Sequence, residues 1–442
     1  MGKFKIDFRW IPREFGDAVD RHSLAEITIE AGGITATGVE DLHAKTVRSG
    51  IRVSAFDLAA WLVGNWWRLR WEARSGSQTN GGGFAWDMSH KIGAAGNGYL
   101  WPDMEFSGSG RSVHVQARRT SAGSRHSLRF LNEIDVHIPA GEFESEVREF
   151  VDAVVSRMGC LDDTSGRSRE LEAAWQELRE EILDPSRSFA RAMEARMGFD
   201  PEEADVAMLN RLRDAAKLVG KGAIEELASS SKRNVLEDFE RIHERFAGLS
   251  TTLSLDIPST VRNVVARAVA GARQPWEKAE RVARTARREW SLGDDAIDSP
   301  RLAELCGVPA QWIEQPSDVD QIPIPAGLRD RGDPGAVKAI LKKRHPHARR
   351  FALARIIGDH LVTAGGEELL PVTDVATDRQ RFQRAFAQEF LCPFEALRNF
   401  LEDEDPDDDR MEDAADHFEV SEIAIRSILV NRGMLERDRL LA

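Results

Sequence analysis

The stretch that decides the reading of this chain is Arg350-Phe351-Ala352-Leu353-Ala354-Arg355-Ile356-Ile357-Gly358-Asp359-His360-Leu361. At its centre stands Arg355, a permanent cation. Beside it is Ile356, which neither accepts nor donates a proton, and four residues on is Asp359. Directly upstream lies the densest basic patch of the chain, Lys342-Lys343-Arg344-His345-Pro346-His347-Ala348-Arg349-Arg350. Such a patch is a candidate for meeting phosphates or an acidic partner, with Lys342, Lys343 and Arg344 as contacts. His345 and His347 flank a proline on a loop without a third ligand, so they are not expected to hold a metal.

Five further segments belong with this one. Downstream, Asp378 to Pro393 reads DRQRFQRAFAQEFLCP; then come Ala415-Asp416-His417-Phe418-Glu419-Val420-Ser421-Glu422 and Ile425 to Leu435. Upstream are Gln274-Pro275-Trp276-Glu277-Lys278-Ala279 and Ile297-Asp298-Ser299-Pro300-Arg301-Leu302-Ala303-Glu304-Leu305. In this order they resemble the ImmA/IrrE family of metallopeptidases, over residues 270–435. The family's zinc helix reads R-x-F-x-L-A-H-E-x-G-H-x-L, and this chain keeps Arg349, Arg350, Phe351, Leu353, Ala354, Gly358 and Leu361 of that frame. Phe386, Ala387, Leu391 and Pro393 match the family's following segment.

The resemblance also implies which positions have lost the chemistry. Arg355 stands where the first zinc histidine would be, Ile356 where the catalytic glutamate would be, and Asp359 where the second histidine would be. Gln380 falls at the third ligand, a glutamate in the family, and Arg384 replaces an asparagine. A catalytic zinc needs three protein ligands and an open position, and its glutamate activates the bound water. Arg355 repels Zn²⁺, and Gln380 offers only a neutral carbonyl oxygen. The expectation is therefore a pseudoenzyme without cofactor or metal. Arg355, Ile356, Asp359 and Gln380 would be vestigial positions, Arg355 and Asp359 an ion pair, and His360 and Arg384 candidates for lining a partner-binding cleft. A rebuilt metal site through His360, Asp359 and Asp374 is the hydrolase alternative. Active members of the family cleave transcriptional repressors in DNA-damage responses, mobile-element control and phage defence. The resemblance thus implies a regulatory setting with a protein partner.

Over its 442 residues the chain is 42% hydrophobic and 30% charged, enough to bury real cores. The formal charge of −14 argues against a surface that embraces nucleic acid everywhere, although local basic patches can still act. Cys160, Cys306 and Cys392 lie far apart, which indicates neither a disulfide framework nor a cysteine metal cluster; Cys392 reads as a buried thiol. No signal-like start and no run of about 18 apolar residues is visible. A cytoplasmic protein with no membrane contact is expected, its oligomeric state open.

The fold class expected is α+β, in three parts: an N-terminal α+β domain (1–160), a helical segment (167–255) and a mostly helical zincin-like domain with a small sheet (260–442). Phe4 to Trp10 alternates like a strand, and Leu24–Glu30, Gly32-Gly33 and Ile34–Val39 read as a hairpin. Phe56 to Trp71 has helical spacing. Residues 74–110 read as loop-rich, residues 113–117 and 134–139 as strands, and residues 143–158 as a helix. Asp162 to Gly166 reads as a linker, and Asp200 and Pro201 look like a helix start. Leu253 to Ile257 reads as a short strand, and Ser421 as a helix cap.

Other clusters have an ordinary packing or loop reading beside a functional one. In Asn65-Trp66-Trp67-Arg68-Leu69-Arg70-Trp71, residues Trp67, Arg68 and Arg70 are candidate nucleic-acid or partner contacts, while core packing with outward arginines is the competing reading. The glycines at 81–83 and 93–98 lack the Gly-Lys-Ser/Thr ending of a phosphate loop. The acidic run Glu402 to Asp409 mimics a calcium loop only briefly, with Asp408 at the turn-glycine position and Ala414 at the bidentate glutamate. His243-Glu244 has no partner histidine.

Overall fold

The structure is a computed structural model that describes residues 3–75, 83–121, 126–161, 165–249, 251–254, 263, 274–315, 322–333, 335–342, 344–363, 365–402 and 406–440. It is α+β, built from many helices and small antiparallel sheets. Contacts divide it into two compact units, Met1–Leu209 and Asn210–Ala442. The boundary falls inside the helix Val206–Val219, so the helical segment expected over 167–255 is shared between the units.

In the N-terminal unit the strand Phe4–Trp10 pairs antiparallel with Leu24–Ala31, whose other edge meets Ile34–Thr35 and Ile51–Ser54. Period-two alternation puts Phe4, Ile6, Ile27 and Ile29 in the core and Lys5 and Asp7 outside. Gly32 and Gly33 make the turn with φ of +66° and +82°, the left-handed pair that a two-residue hairpin requires. The hairpin's return strand stops at Thr35. Val39–Asp41 instead joins a separate sheet between Thr46–Arg48 and Leu128–Phe130. A third sheet runs Asp103–Gly108, Ser112–Arg118, Ile134–Pro139. The expectation of loop over 74–110 is corrected here: Gly83–His90 is a helix and Asp103–Gly108 a strand, with Met104 and Phe106 buried at alternate positions. Gly81 and Gly82 lie outside the described residues, as do Asp162, Asp163 and Thr164 of the linker.

The helix Ala55–Trp71 buries Leu58, Trp61, Leu62, Trp66, Trp67 and Leu69, and packs on Ala140–Met158, Arg167–Leu183 and Pro185–Met197. Asp184 caps the last of these through the amides of Ser186 and Arg187, at 2.8 and 3.0 Å. Asp200 and Pro201 do not start a helix. The Asp200 amide donates to Glu203 at 3.0 Å in a turn, and Asp205, accepting from the Ala207 amide at 3.1 Å, precedes the helix Val206–Val219.

The C-terminal unit has one antiparallel sheet in the order Leu253–Ser254, Ala336–Ile340, Ala326–Arg329, Leu369–Pro371. The helix Pro346–Val362 packs on this sheet and on Asp378–Leu391, which also packs on Pro275–Glu289. Ser421 does sit at a helix N-cap, but its hydroxyl makes no capping bond; Ile425 and Leu429 point inward as expected. Cys306 and Cys392 are buried free thiols, held above the usual thiol range by burial, and Cys160 is exposed.

Gly358 sets the approach of the two central helices. A Cβ there would meet the Phe386 ring at 2.4 and 2.5 Å. That ring is wholly buried and stacked 5.3 Å from Phe390, so it cannot swing away. Alanine in a helix is favoured over glycine by about 1 kcal/mol, whereas overpacking of this kind costs about 1–3 kcal/mol or more. Gly358→Ala is accordingly expected to lower the urea unfolding midpoint despite its better helix propensity. An unchanged or raised midpoint would refute this account of the helix contact.

Candidate functional site

Pro346–Val362 brings Arg355, Ile356, Asp359 and His360 to one depth, and all four are buried. Asp378–Leu391 brings Gln380 and Gln383 opposite them, both fully buried, with Arg379 and Arg384 alongside. An Arg355 terminal nitrogen donates to Gln380 Oε1 and to the Thr373 carbonyl, each at 2.6 Å. Gln380 Oε1 also accepts from the Thr373 amide at 2.9 Å, and its Nε2 donates to the Pro371 carbonyl at 3.0 Å. Gln380 is thereby fixed in orientation from both ends of its amide.

The expected ion pair between Arg355 and Asp359 does not form. Asp359 is taken by Arg379, with Nε at 2.9 and 3.1 Å and a terminal nitrogen at 2.8 Å. It also accepts from Gln383 Nε2 at 3.0 Å and from Thr363 Oγ1 at 3.2 Å. The reason is position: Arg379 and Gln383 are four apart on the facing helix, so both reach the carboxylate while Arg355 faces the strand end at Thr373. Burial alone would lower Arg379, but Asp359, Glu226 and Glu367 outweigh it and hold the guanidinium above its ordinary value. Glu367 in turn caps the helix Lys221–Ser231 through the Gly222 and Ala223 amides, at 2.8 and 3.0 Å.

Arg355 has no such compensation. Burial pushes it down to about 9, and Arg384 adds to the fall against Asp374, Asp359 and Glu226. Its nearest carboxylate, Asp374, lies 4.0 Å away and is 82% exposed. At neutral pH Arg355 is still a cation in a place that resists charge. Arg384 is likewise lowered, by burial, and donates to the Val375 carbonyl at 3.1 Å. Arg355 Nε, Thr373 Oγ1 and Gln383 Oε1 are buried without a hydrogen-bond partner. Ile356 fills the space over Gly327, where a Cβ would meet its Cγ2 at 2.7 Å. Among the described residues no group of three His, Cys, Asp or Glu side chains is placed to hold a metal.

No family model, curated protein or solved structure matches this chain. The site therefore has to be read from its own residues.

Four of the sequence-derived positions, Arg355, Ile356, Asp359 and Gln380, do come together, and His360 lies among them at 2% exposure. They do not line an open cleft. Arg379, Gln383, Thr373 and Glu226, the last accepting from Thr377 Oγ1 at 2.9 Å, complete the cluster and were not singled out from sequence. The spacing of Arg379, Gln380 and Gln383 on one helical face was the available signal; Glu226 had none. The candidate contacts of the N-terminal unit need correction too. Trp67, Arg68 and Arg70 are 5–7% exposed. Trp67 donates to Glu181 at 3.0 Å, Arg68 to Glu72 at 2.7 Å and Ser89 at 2.8 Å, and Arg70 to Glu144 at 2.5 Å. Their donors are taken by partners within the unit, Glu181, Glu72 and Ser89 buried and Glu144 half-buried, which leaves these side chains little to offer a nucleic-acid backbone. In the basic patch, Lys342 donates to the Pro323 carbonyl at 2.6 Å, Arg344 is exposed, and Lys343 lies outside the described residues. Arg349 and Arg350 are interior. The first donates to the carbonyls of Ile313, Leu341 and Trp312, and the second to Ser299 and the Glu419 carbonyl.

Proposed function

We propose that the C-terminal unit is a non-catalytic, zincin-like pseudopeptidase of the ImmA/IrrE type that serves as a regulatory scaffold for a protein partner. The settings the resemblance implies are stress response, mobile-element control and phage defence. The observation that carries this reading is the 2.6 Å contact between Arg355 and Gln380, 25 residues apart in sequence. These are the two positions that the resemblance equates with the first and third zinc ligands, and Asp359 stands one helical turn from Arg355 beside them. Their meeting across two helices is what the resemblance leads one to expect, and it supports the reading. A cation, a carboxylate already paired with Arg379 and a neutral amide occupy the places of the ligands, and an aliphatic side chain that of the base, which leaves no group to activate water. Because the cluster is closed, a partner would meet its rim, where Asp374 is exposed, and the buried residues would act by holding the two central helices in register.

The test restores the ligands. Arg355→His/Asp359→His/Gln380→Glu, with Arg379→Leu to remove the cation that Asp359 neutralises, is expected to gain about one zinc per chain by mass spectrometry, while the wild type gains none. Stoichiometric zinc in the wild type would overturn the non-catalytic reading and favour a hydrolase with rebuilt ligands. A folded variant that binds no zinc would overturn the ImmA/IrrE correspondence itself.

A further inference from the structure

The N-terminal unit carries a second feature, independent of the C-terminal cluster. A surface pocket of about 340 Å³ is lined by Trp10, Pro12, Arg13, Arg21, His22 and Arg157. Its size falls at the lower end of ordinary small-molecule sites. Three of its six lining residues are arginines and none is acidic, in a chain whose formal charge is −14.

What these arginines do not touch matters most. None of Arg13, Arg21 and Arg157 pairs with a carboxylate among the described residues. Arg13 donates to the neutral Tyr99 hydroxyl at 2.9 Å. Arg157 donates through Nε to the His22 carbonyl at 2.6 Å, and its terminal nitrogens have no hydrogen-bond partner among the described residues. The Arg21 side chain likewise has none among them. The neighbouring carboxylates are already engaged elsewhere: Asp17 and Asp20 face Arg167 at 3.1 and 3.7 Å, and Glu26 faces Arg9 at 2.6 Å. Some arginines of this unit pair with acids, Arg9 with Glu26 and Arg167 with Asp17 among them, whereas these three, with no carboxylate partner among the described residues, surround a single concavity and form a cationic site. Guanidinium groups suit phosphate because their planar donors match its oxygens in pairs.

The pocket has a flat wall as well. The Arg157 guanidinium lies 4.4 Å from the Trp10 ring centroid, and Phe8 meets the indole in an edge contact with centroids 5.3 Å apart. A guanidinium stacked on indole is a platform on which a planar base can lie. His22 donates from Nδ1 to the Ala18 carbonyl at 2.8 Å, which turns Nε2 outward. We propose that this pocket binds a small phosphorylated ligand bearing a planar ring, a nucleoside phosphate, with Arg21 and Arg13 on the phosphate and the Arg157–Trp10 stack under the base.

Isothermal titration of the full chain with ADP, adenosine and inorganic pyrophosphate tests this. ADP is expected to bind at least ten-fold more tightly than either adenosine or pyrophosphate, and the affinity should fall as salt is raised. Arg21→Ala removes an exposed side chain with no internal contact, so the fold stays intact and the ADP Kd is expected to rise about ten-fold, the effect of losing one charge-assisted contact. Arg211→Ala, at an exposed pair with Glu240, is the control and should leave it unchanged. Trp10→Leu should bring ADP and pyrophosphate to similar affinity. The proposal is overturned if ADP binds no better than adenosine, if Arg21→Ala leaves the Kd unchanged, or if single-stranded oligonucleotides bind while ADP does not.

Discussion

Asp359→Ala is expected to destabilise the C-terminal unit by about 3–5 kcal/mol, the usual cost of removing one member of a buried ion pair. Asp359 is 1% exposed and receives bonds from Arg379, Gln383 and Thr363. Alanine leaves the Arg379 guanidinium without its main counter-charge; Glu367, 3.7 Å away, and Glu226 still act on it but make no hydrogen bond to it among the described residues. Gln383 keeps its bond to the Pro371 carbonyl at 3.0 Å, so its loss is smaller. The double variant Asp359→Ala/Arg379→Leu removes both charges and should recover much of the stability, because an apolar pair of similar volume in such a place is close to neutral. Urea unfolding of the three proteins measures this. A loss below about 1 kcal/mol for Asp359→Ala, or a double variant worse than the single, would mean that Asp359 is not the counter-ion of Arg379.

How much of this was legible from sequence differs by level. Strands such as Phe4–Trp10 and the helix Ala55–Trp71 were legible because a single period runs through each. The strand Asp103–Gly108 was hidden because glycines and a proline surround it, and its pairing partner Ser112–Arg118 supplies what the local pattern lacks. The convergence of Arg355, Asp359 and Gln380 followed from resemblance; which partner each chose did not. Arg379 won Asp359 through its place on the facing helix, and facing is a tertiary fact. The same holds for Arg68 and Arg70. Their spacing on a Trp-rich helix suggested outward cations, yet Glu72, Ser89 and Glu144 draw them inward. A sequence shows that a charge exists but not where its counter-charge lies when the two are distant along the chain. The pocket around Arg13, Arg21 and Arg157 is the extreme case, since it joins residues from either end of the unit's first 160.

Arg350→Met should be nearly as costly as Asp359→Ala, about 3–5 kcal/mol, although it touches nothing in the cluster around Arg355 and Asp359. The Arg350 side chain is fully buried, and methionine can fill its length but supplies no donor. Arg350 donates to Ser299 Oγ at 3.0 Å, to the Glu419 carbonyl at 3.1 Å and to the Ile297 carbonyl, and its guanidinium lies 3.0 Å from the Glu419 carboxylate. Each buried carbonyl left without its donor costs about 1–3 kcal/mol. Glu419 is also held at φ +47°, a left-handed conformation unfavourable to a residue with a side chain, so the arginine helps fix a strained link between two helices. Its carboxylate is partly protected against the loss, since the Ser299 amide and hydroxyl still reach it at 3.1 and 2.9 Å. Arg350→Lys keeps the charge but one nitrogen cannot serve all of these acceptors, and it should lose about half as much. Urea unfolding gives the totals, and hydrogen exchange should show protection lost first in Ser299–Leu305 and Glu422–Asn431. If exchange rises equally everywhere, Arg350 is not the local tie between those helices. If it rises there first, Arg350 is the local tie that holds the start of Ser299–Leu305 against the turn before Glu422–Asn431.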